Sequence, residues 1–164
     1  MKTLVVYYSW SGKTELIATS ISKVLNADLR KIEEVKKRNR FFIFISGGYS
    51  ALRGKCSKIK PINFSLDSYD LIFLGTPVWA SRPTPAINTF ISKADLAKKK
   101  VILFATMGSS GGEKATKIVT EKIKAKKGKA IASFIVKTYR VKEEDIIKRG
   151  EEIAEEFIRK KGKN

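Results

Sequence analysis

Leu4-Val5-Val6-Tyr7-Tyr8-Ser9-Trp10-Ser11-Gly12-Lys13-Thr14 is the stretch on which the reading of the fold turns. It opens on consecutive hydrophobes with no polar alternation, the pattern of a strand covered on both faces of a parallel sheet. It closes on hydroxyls and a glycine that lead straight into a segment of helical period. Ile17, Ile21, Val24 and Leu25 fall at i, i+4, i+7 and i+8, one stripe directed at a sheet. Either Ser11 or Thr14 has the side chain to cap that helix.

The same alternation continues along the chain. Further apolar runs stand at Ala27–Ile32, Leu71–Leu74, Val101–Ala105 and Ile131–Val136. The second of the five runs is weakened by Asp28, Arg30 and Lys31 and suits a sheet edge. Between them, Ile87, Phe90 and Ile91 follow Pro83 and Pro85, residues suited to a first helical turn. Ala115, Ile118, Val119 and Ile123 form one stripe, and Ile146, Gly150, Ile153, Ala154 and Phe157 form another. Glu143, Glu144 and Asp145 start the last helix and Arg159, Lys160 and Lys161 end it, complementing its dipole. Strand and helix alternating five times predict an α/β protein with a parallel sheet and right-handed crossovers. No linker, repeat or low-complexity tract divides residues 1–164, so one domain is expected. Residues 36–62 are ambiguous: Phe41, Phe42, Ile45, Tyr49 and Leu52 suit a helical face, but Gly47-Gly48 weakens it.

Composition narrows the function classes. A chain of 164 residues can bury roughly 70% of its unfolded surface in one core. With 43% hydrophobic and 30% charged residues, disorder and collagen-like repeats are excluded. No apolar run approaches the ~18 residues of a membrane helix, and Met1-Lys2-Thr3-Leu4 reads as a first strand, not a leader. A single cysteine, Cys56, forms no internal disulfide and suits a reducing cytoplasm. The absence of histidine removes His-based triads and His metal sites; no metal site is expected. The net charge of +18 attracts polyanions or acidic proteins. The basic clusters fall mostly at helix ends and connections, however, where solvated faces are expected. Nucleic acid is therefore disfavoured, and an acidic protein is the better partner.

In an open parallel sheet, ligands bind beyond the carboxyl ends of the strands. The loop after the first strand, Ser9-Trp10-Ser11-Gly12-Lys13-Thr14, combines hydroxyls, a tight bend and helix-start amides into a phosphate cradle. It lacks the spacer of a Walker loop and the glycines of a dinucleotide fingerprint. After the third strand, Gly75-Thr76-Pro77-Val78-Trp79-Ala80 offers an indole that can stack on a planar ring. After the fourth, Thr106-Met107-Gly108-Ser109-Ser110-Gly111-Gly112 is small, rich in amides and able to lie against a heterocycle. Each loop alone has a plain structural explanation. Together they describe a site for a phosphorylated flat aromatic cofactor.

At these residues the chain resembles the short-chain flavodoxins. Their phosphate loop, Ser/Thr-x-Ser/Thr-Gly-x-Thr, is matched by Ser9–Thr14, and Tyr69–Trp79 is similar to their third strand and first flavin loop. Gly48–Lys55 resembles a segment of a prokaryotic branch. The resemblance implies a three-layer α/β/α fold, a five-stranded parallel sheet in order 2-1-3-4-5, and noncovalent FMN. It implies that Ser9, Trp10, Ser11, Gly12, Lys13 and Thr14 hold the phosphate. Thr76, Pro77, Val78, Trp79 and Ala80 then wrap one side of the ring, with Trp79 stacked. Thr106, Met107, Gly108, Ser109, Gly111 and Gly112 cover the pyrimidine side. The implied role is electron transfer between partners, such as an acidic ferredoxin or a reductase, with no catalytic residue supplied by the polypeptide. The chain also departs from the family. The third loop has no aromatic, Ala80 stands where a glycine commonly permits a peptide flip, and the charge is basic. These departures leave a second expectation, an FMN-dependent NAD(P)H oxidoreductase acting on quinones or other small acceptors, with Lys13 and Arg82 near the site. A non-redox binder on the same scaffold is a third. Monomer and homodimer both remain open.

Overall fold

The computed structural model describes residues 2–36 and 56–162. The residues read as ambiguous above, Phe41 to Leu52, and the segment Gly48–Lys55 lie outside the described residues. In chain order the elements are β1 (Thr3–Tyr7), α1 (Lys13–Leu25), β2 (Asp28–Lys31), β3 (Leu71–Trp79), β4 (Arg82–Pro83), α2 (Pro85–Lys93), β5 (Lys100–Met107), α3 (Gly112–Ala125), β6 (Lys129–Lys137) and α4 (Glu143–Lys161).

Five strands pair in parallel in the order β2-β1-β3-β5-β6. This is the expected neighbour order of a flavodoxin-like sheet, with one addition. The two-residue β4 returns antiparallel on the end of β3, pairing Val78 with Pro83 and Trp79 with Arg82. Pro83 therefore belongs to this hairpin, and α2 begins at Pro85, whose fixed φ suits the first helical position.

The unbroken apolar runs are explained by helices on both faces. Side chains alternate across a strand, so Leu4, Val6, Ile72, Leu74, Val101 and Leu103 enter one core with Ile87 and Phe90 of α2 and Val119 of α3. Val5, Tyr7, Leu71, Phe73, Ile102 and Phe104 enter the other with Ile17 and Ile21 of α1 and Ile146 and Ile153 of α4. Of the stripe read on α1, Val24 is the exception and lies exposed. Gly150 lets α4 approach α1 closely, because a Cβ there would stand 2.8 Å from Ser20 Cβ and 3.1 Å from Ile17 Cα. The acidic first turn and basic last turn of α4 are as the sequence predicts. Among the described residues no helix is long and apolar enough to cross a membrane.

Gly75 sits at the centre of β3, where a Cβ would lie 2.2 Å from the Phe104 ring. Gly75→Val therefore forces Phe104 off its packed position and is expected to cost about 2–3 kcal/mol, read by urea unfolding. Pairing it with Phe104→Leu recovers part of the loss, whereas a purely local backbone effect would leave the double variant no better.

Candidate functional site

The carboxyl edge of the sheet carries the loops that follow β1, β3 and β5. Tyr8 continues β1 by donating its amide to the Gly75 carbonyl at 3.1 Å. The chain then turns through Ser9–Ser11, and Gly12 takes φ 89° to start α1 with no side-chain cap. Neither Ser11 nor Thr14 serves as the N-cap: Gly12 does, and the left-handed φ is why a glycine stands there. Ser9 Oγ accepts the Glu15 amide at 3.3 Å, and Ser11 is exposed. The start of α1 thus presents amides, a positive dipole end and an exposed hydroxyl to the rim.

Thr14 is buried, and its hydroxyl shares a 2.7 Å hydrogen bond with that of Thr106 at the end of β5. Its hydroxyl is spent on joining the first loop to the third. Lys13 is also engaged, its ammonium 3.1 Å from Glu143 of α4. Two residues after Lys13, Glu15 is held below the usual carboxylate range, chiefly by the Lys31 ammonium at 2.7 Å and also by the Tyr7 hydroxyl. Burial and that carboxylate together raise the Tyr7 phenol above its ordinary value.

The second loop is a hairpin tip. Ala80 and Ser81 have φ of 48° and 60°, so both central residues of the turn are left-handed without a glycine. Such residues cost about 1 kcal/mol or more each. Positive φ at both positions matches a type I′ turn, whose twist suits a two-residue hairpin. Trp79 is half-buried and meets Tyr8 edge to face, with ring centroids 6.0 Å apart. Thr76 points inward: its hydroxyl donates to the Pro77 carbonyl at 2.9 Å and accepts the Thr84 amide at 3.3 Å. Pro77 lies in register with Thr106, and Val78 with Pro83.

The third loop closes on the second. Gly111 has φ 90° and starts α3, and a Cβ there would stand 2.5 Å from Ser81 Oγ. Gly108 and Ser109 are exposed, Met107 is half-buried and Gly112 is buried within α3. The expected residues thus divide in two. Ser9, Ser11, Gly12, Trp79, Ala80, Gly108, Ser109 and Gly111 form the rim itself. Thr14, Thr76, Thr106 and Gly112 are buttresses beneath it, and Trp10 packs partly against the core.

Two contributors were not singled out from sequence. Tyr8 positions Trp79, and Ser81 supports Gly111. Arg82, read only as a nearby cation, has a buried Nε with no hydrogen-bond partner among the described residues. It is in register with Trp79 and offers a donor and a positive charge beside the loop. A cavity of about 550 Å³ opens by Tyr8, Ser9 and Trp10 against Lys31–Val35 at the end of β2. The amide-lined helix start, the indole and the orphaned guanidinium donor fit a phosphorylated planar ring. No group of side chains able to hold a metal occurs among the described residues.

A sheet of this order with ligand loops at its carboxyl rim defines the class of open α/β cofactor binders. The flavodoxin family model matches residues 50–144, more than half of the chain and including the second and third loops. The chain belongs to the flavodoxin family. No curated protein matches it. Among solved structures it is similar to a candidate flavoprotein from Bacteroides uniformis, at 26% identity and TM-score 0.69, covering 90% of this chain and 96% of that one. A flavoprotein from Lactobacillus acidophilus, solved in complex with FMN, is similar at 23% identity and TM-score 0.72, covering 82% and 92%. Oxidised Flavodoxin 2 from Bacillus cereus is similar at 22% identity and TM-score 0.63, covering 98% and 99%. These last two likenesses speak to the fold.

Thr14→Val leaves the Thr106 hydroxyl buried without its partner. It is expected to cost about 1–3 kcal/mol in urea unfolding, with Thr14→Ser recovering most of it. Equal stability of the Val variant and the parent would show that the hydroxyl pair does not tie the loops.

Proposed function

We propose that this chain is an electron-transfer protein that binds FMN at the carboxyl rim and shuttles electrons between redox partners. FMN binding follows from membership of the flavodoxin family and agrees with the FMN complex of the Lactobacillus acidophilus flavoprotein. The observation that carries the reading is the joining of the three rim loops. Thr14 bonds Thr106, Gly111 rests on Ser81, and Tyr8 meets Trp79.

In this reading the α1 start holds the phosphate through the amides and hydroxyls of Ser9–Thr14. Ser11 and the Gly12-led turn make the direct contacts, while Thr14 fixes the loop from below. Trp79, steadied by Tyr8, provides the flat face against the ring. Gly108, Ser109 and Gly111 supply backbone donors on the other side, and the Arg82 Nε adds a donor behind the hairpin. When bound, FMN supplies the acceptance and release of electrons, and the polypeptide contributes binding, orientation and electrostatics. Positive charge favours an anionic reduced cofactor and so raises the reduction potential.

With a net charge of +18, the partner in this reading is an acidic redox protein, such as a ferredoxin or a reductase, reached faster at low salt. One cysteine, Cys56, suits a cytoplasmic setting. A second reading, an FMN-dependent NAD(P)H oxidoreductase, is favoured by the third loop, which has no aromatic to cover the outer face of the ring. Rapid bleaching of the loaded protein by NAD(P)H alone supports that enzyme, and slow bleaching that a reductase accelerates supports the carrier.

Calorimetric titration is expected to give a saturable FMN complex, with riboflavin bound more weakly. Ser11→Ala should lower FMN affinity by about tenfold, as for a hydrogen bond to a charged group, and leave riboflavin unchanged. Equal losses for both ligands would remove the phosphate from this loop.

A further inference from the structure

The sheet ends in β6, which pairs only with β5 among the described residues. Its seven central residues, Ala130–Val136, carry no charge and are bracketed by Lys129 and Lys137. Ile131 is 40% exposed. Beside this edge, on the face covered by α4, lies a groove of about 330 Å³ walled by Leu71, Ile102, Ile131, Phe134 and Phe157. Lys100, Lys160 and Lys161 line the same groove. None of these three lysines has a carboxylate within ion-pair distance among the described residues.

Charge is concentrated further at this end of β5 and β6. Lys100 and Lys129 are neighbours in register. The preceding turns are tied by Lys98 N to the Lys127 carbonyl at 3.0 Å and by Lys129 N to the Lys99 carbonyl at 2.9 Å. Like charges side by side in a sheet are destabilising, so an anion arriving here relieves repulsion that folding leaves in place. Long apolar edge strands are normally blunted by charge, proline, a bulge or cover; β6 has one irregularity, at Ile131 opposite Val101 and Ile102, and beyond it Ala132–Val136 run in regular register with no charge or proline.

From the open edge, the apolar groove and its lysine rim, we propose that β6 docks an extended segment of a partner protein whose groove-facing residues, every second one along the strand, are apolar and then acidic at the end nearest Lys100. The partner backbone continues the sheet, its groove-facing apolar side chains enter the groove, and the carboxylates that follow them on the same face meet Lys100, Lys160 and Lys161. The other occupants fit less. A second copy pairing antiparallel about Ser133 sets Lys129 against Lys137 of that copy twice over, on top of a net charge of +18 on each. A nucleic acid brings phosphates but nothing apolar for the groove. A lipid surface leaves the peptide groups of the edge without partners. The surface lies on the last strand, apart from the α1 start, and its occupancy does not depend on the cofactor reading.

The test uses the full chain, with and without FMN, and a labelled blocked peptide with Val or Phe at alternate positions, Thr between them, and two Glu continuing the apolar face at one end. Its control is an isomer of the same composition with the apolar residues contiguous. At low salt, fluorescence anisotropy should show the alternating peptide binding about tenfold more tightly than the isomer. Amide hydrogen exchange should slow across Ala130–Val136 when it binds. Ile131→Glu, at an exposed position, and Lys160→Gln with Lys161→Gln should each weaken the complex severalfold with the unfolding midpoint little changed. Equal binding of the two isomers, unaltered exchange in β6, or peptide binding that Ile131→Glu does not change would overturn the proposal. So would tighter binding of a DNA oligonucleotide or of anionic phospholipid vesicles to the same lysines.

Discussion

A parallel sheet covered by helices on both faces meets solvent only at its two rims and its two edge strands. That constraint governs where this chain can do chemistry. The interior of β1, β3 and β5 is wholly occupied by packing, since successive side chains enter two separate cores. What remains is the carboxyl rim, where three chain segments turn back from strand to helix. The buried Thr14–Thr106 bond of 2.7 Å spans that rim and joins segments far apart in the chain. Beside it, Gly111 has no room for a side chain against Ser81. The loops are therefore held relative to one another by the same interior contacts that hold the sheet. Such a rim needs little rearrangement to accept a rigid planar ligand, which favours affinity by limiting the ordering cost.

Charge is distributed unevenly about this frame. At the carboxyl rim, Lys13 pairs with Glu143 and Lys31 with Glu15, while the buried Arg82 Nε has no hydrogen-bond partner among the described residues. At the opposite rim, Lys98, Lys99, Lys100, Lys127 and Lys129 gather in two joined turns. Helices running antiparallel to the strands end there, so part of this bias follows from lysines complementing helix C-termini. The register neighbours Lys100 and Lys129 go beyond that explanation, because they belong to strands. The lysine-rich turns and the three joined loops thus lie at opposite ends of the strands.

Much of this was legible in the sequence. Leu4–Tyr7 and Leu71–Leu74 announce doubly covered strands because burial on both faces removes polar alternation. Ser9–Thr14 announces a tight turn into a helix start, because a glycine among short hydroxyl side chains directly after a buried strand suits little else. The division of labour within that motif was not legible. A threonine hydroxyl that meets a phosphate and one that meets another threonine look alike in one dimension, and only the register of β5 brings Thr106 to Thr14. The hairpin at Ala80-Ser81 was hidden for a related reason, since neither residue is the Gly or Asn that left-handed turns normally require. The open edge of β6 was hidden too: Ile131 sits in an apolar run, and its exposure depends on β6 having β5 as its one pairing partner among the described residues.

The central claim is that three loops of one rim jointly enclose FMN, with the phosphate at the start of α1. Backbone amide chemical-shift mapping during titration with FMN tests this most directly. The account predicts saturable shifts concentrated at Ser11–Thr14, Trp79–Arg82 and Gly108–Gly111, with the α1 start unmoved when riboflavin replaces FMN. Shifts scattered away from these loops, or none at saturating FMN, would contradict it.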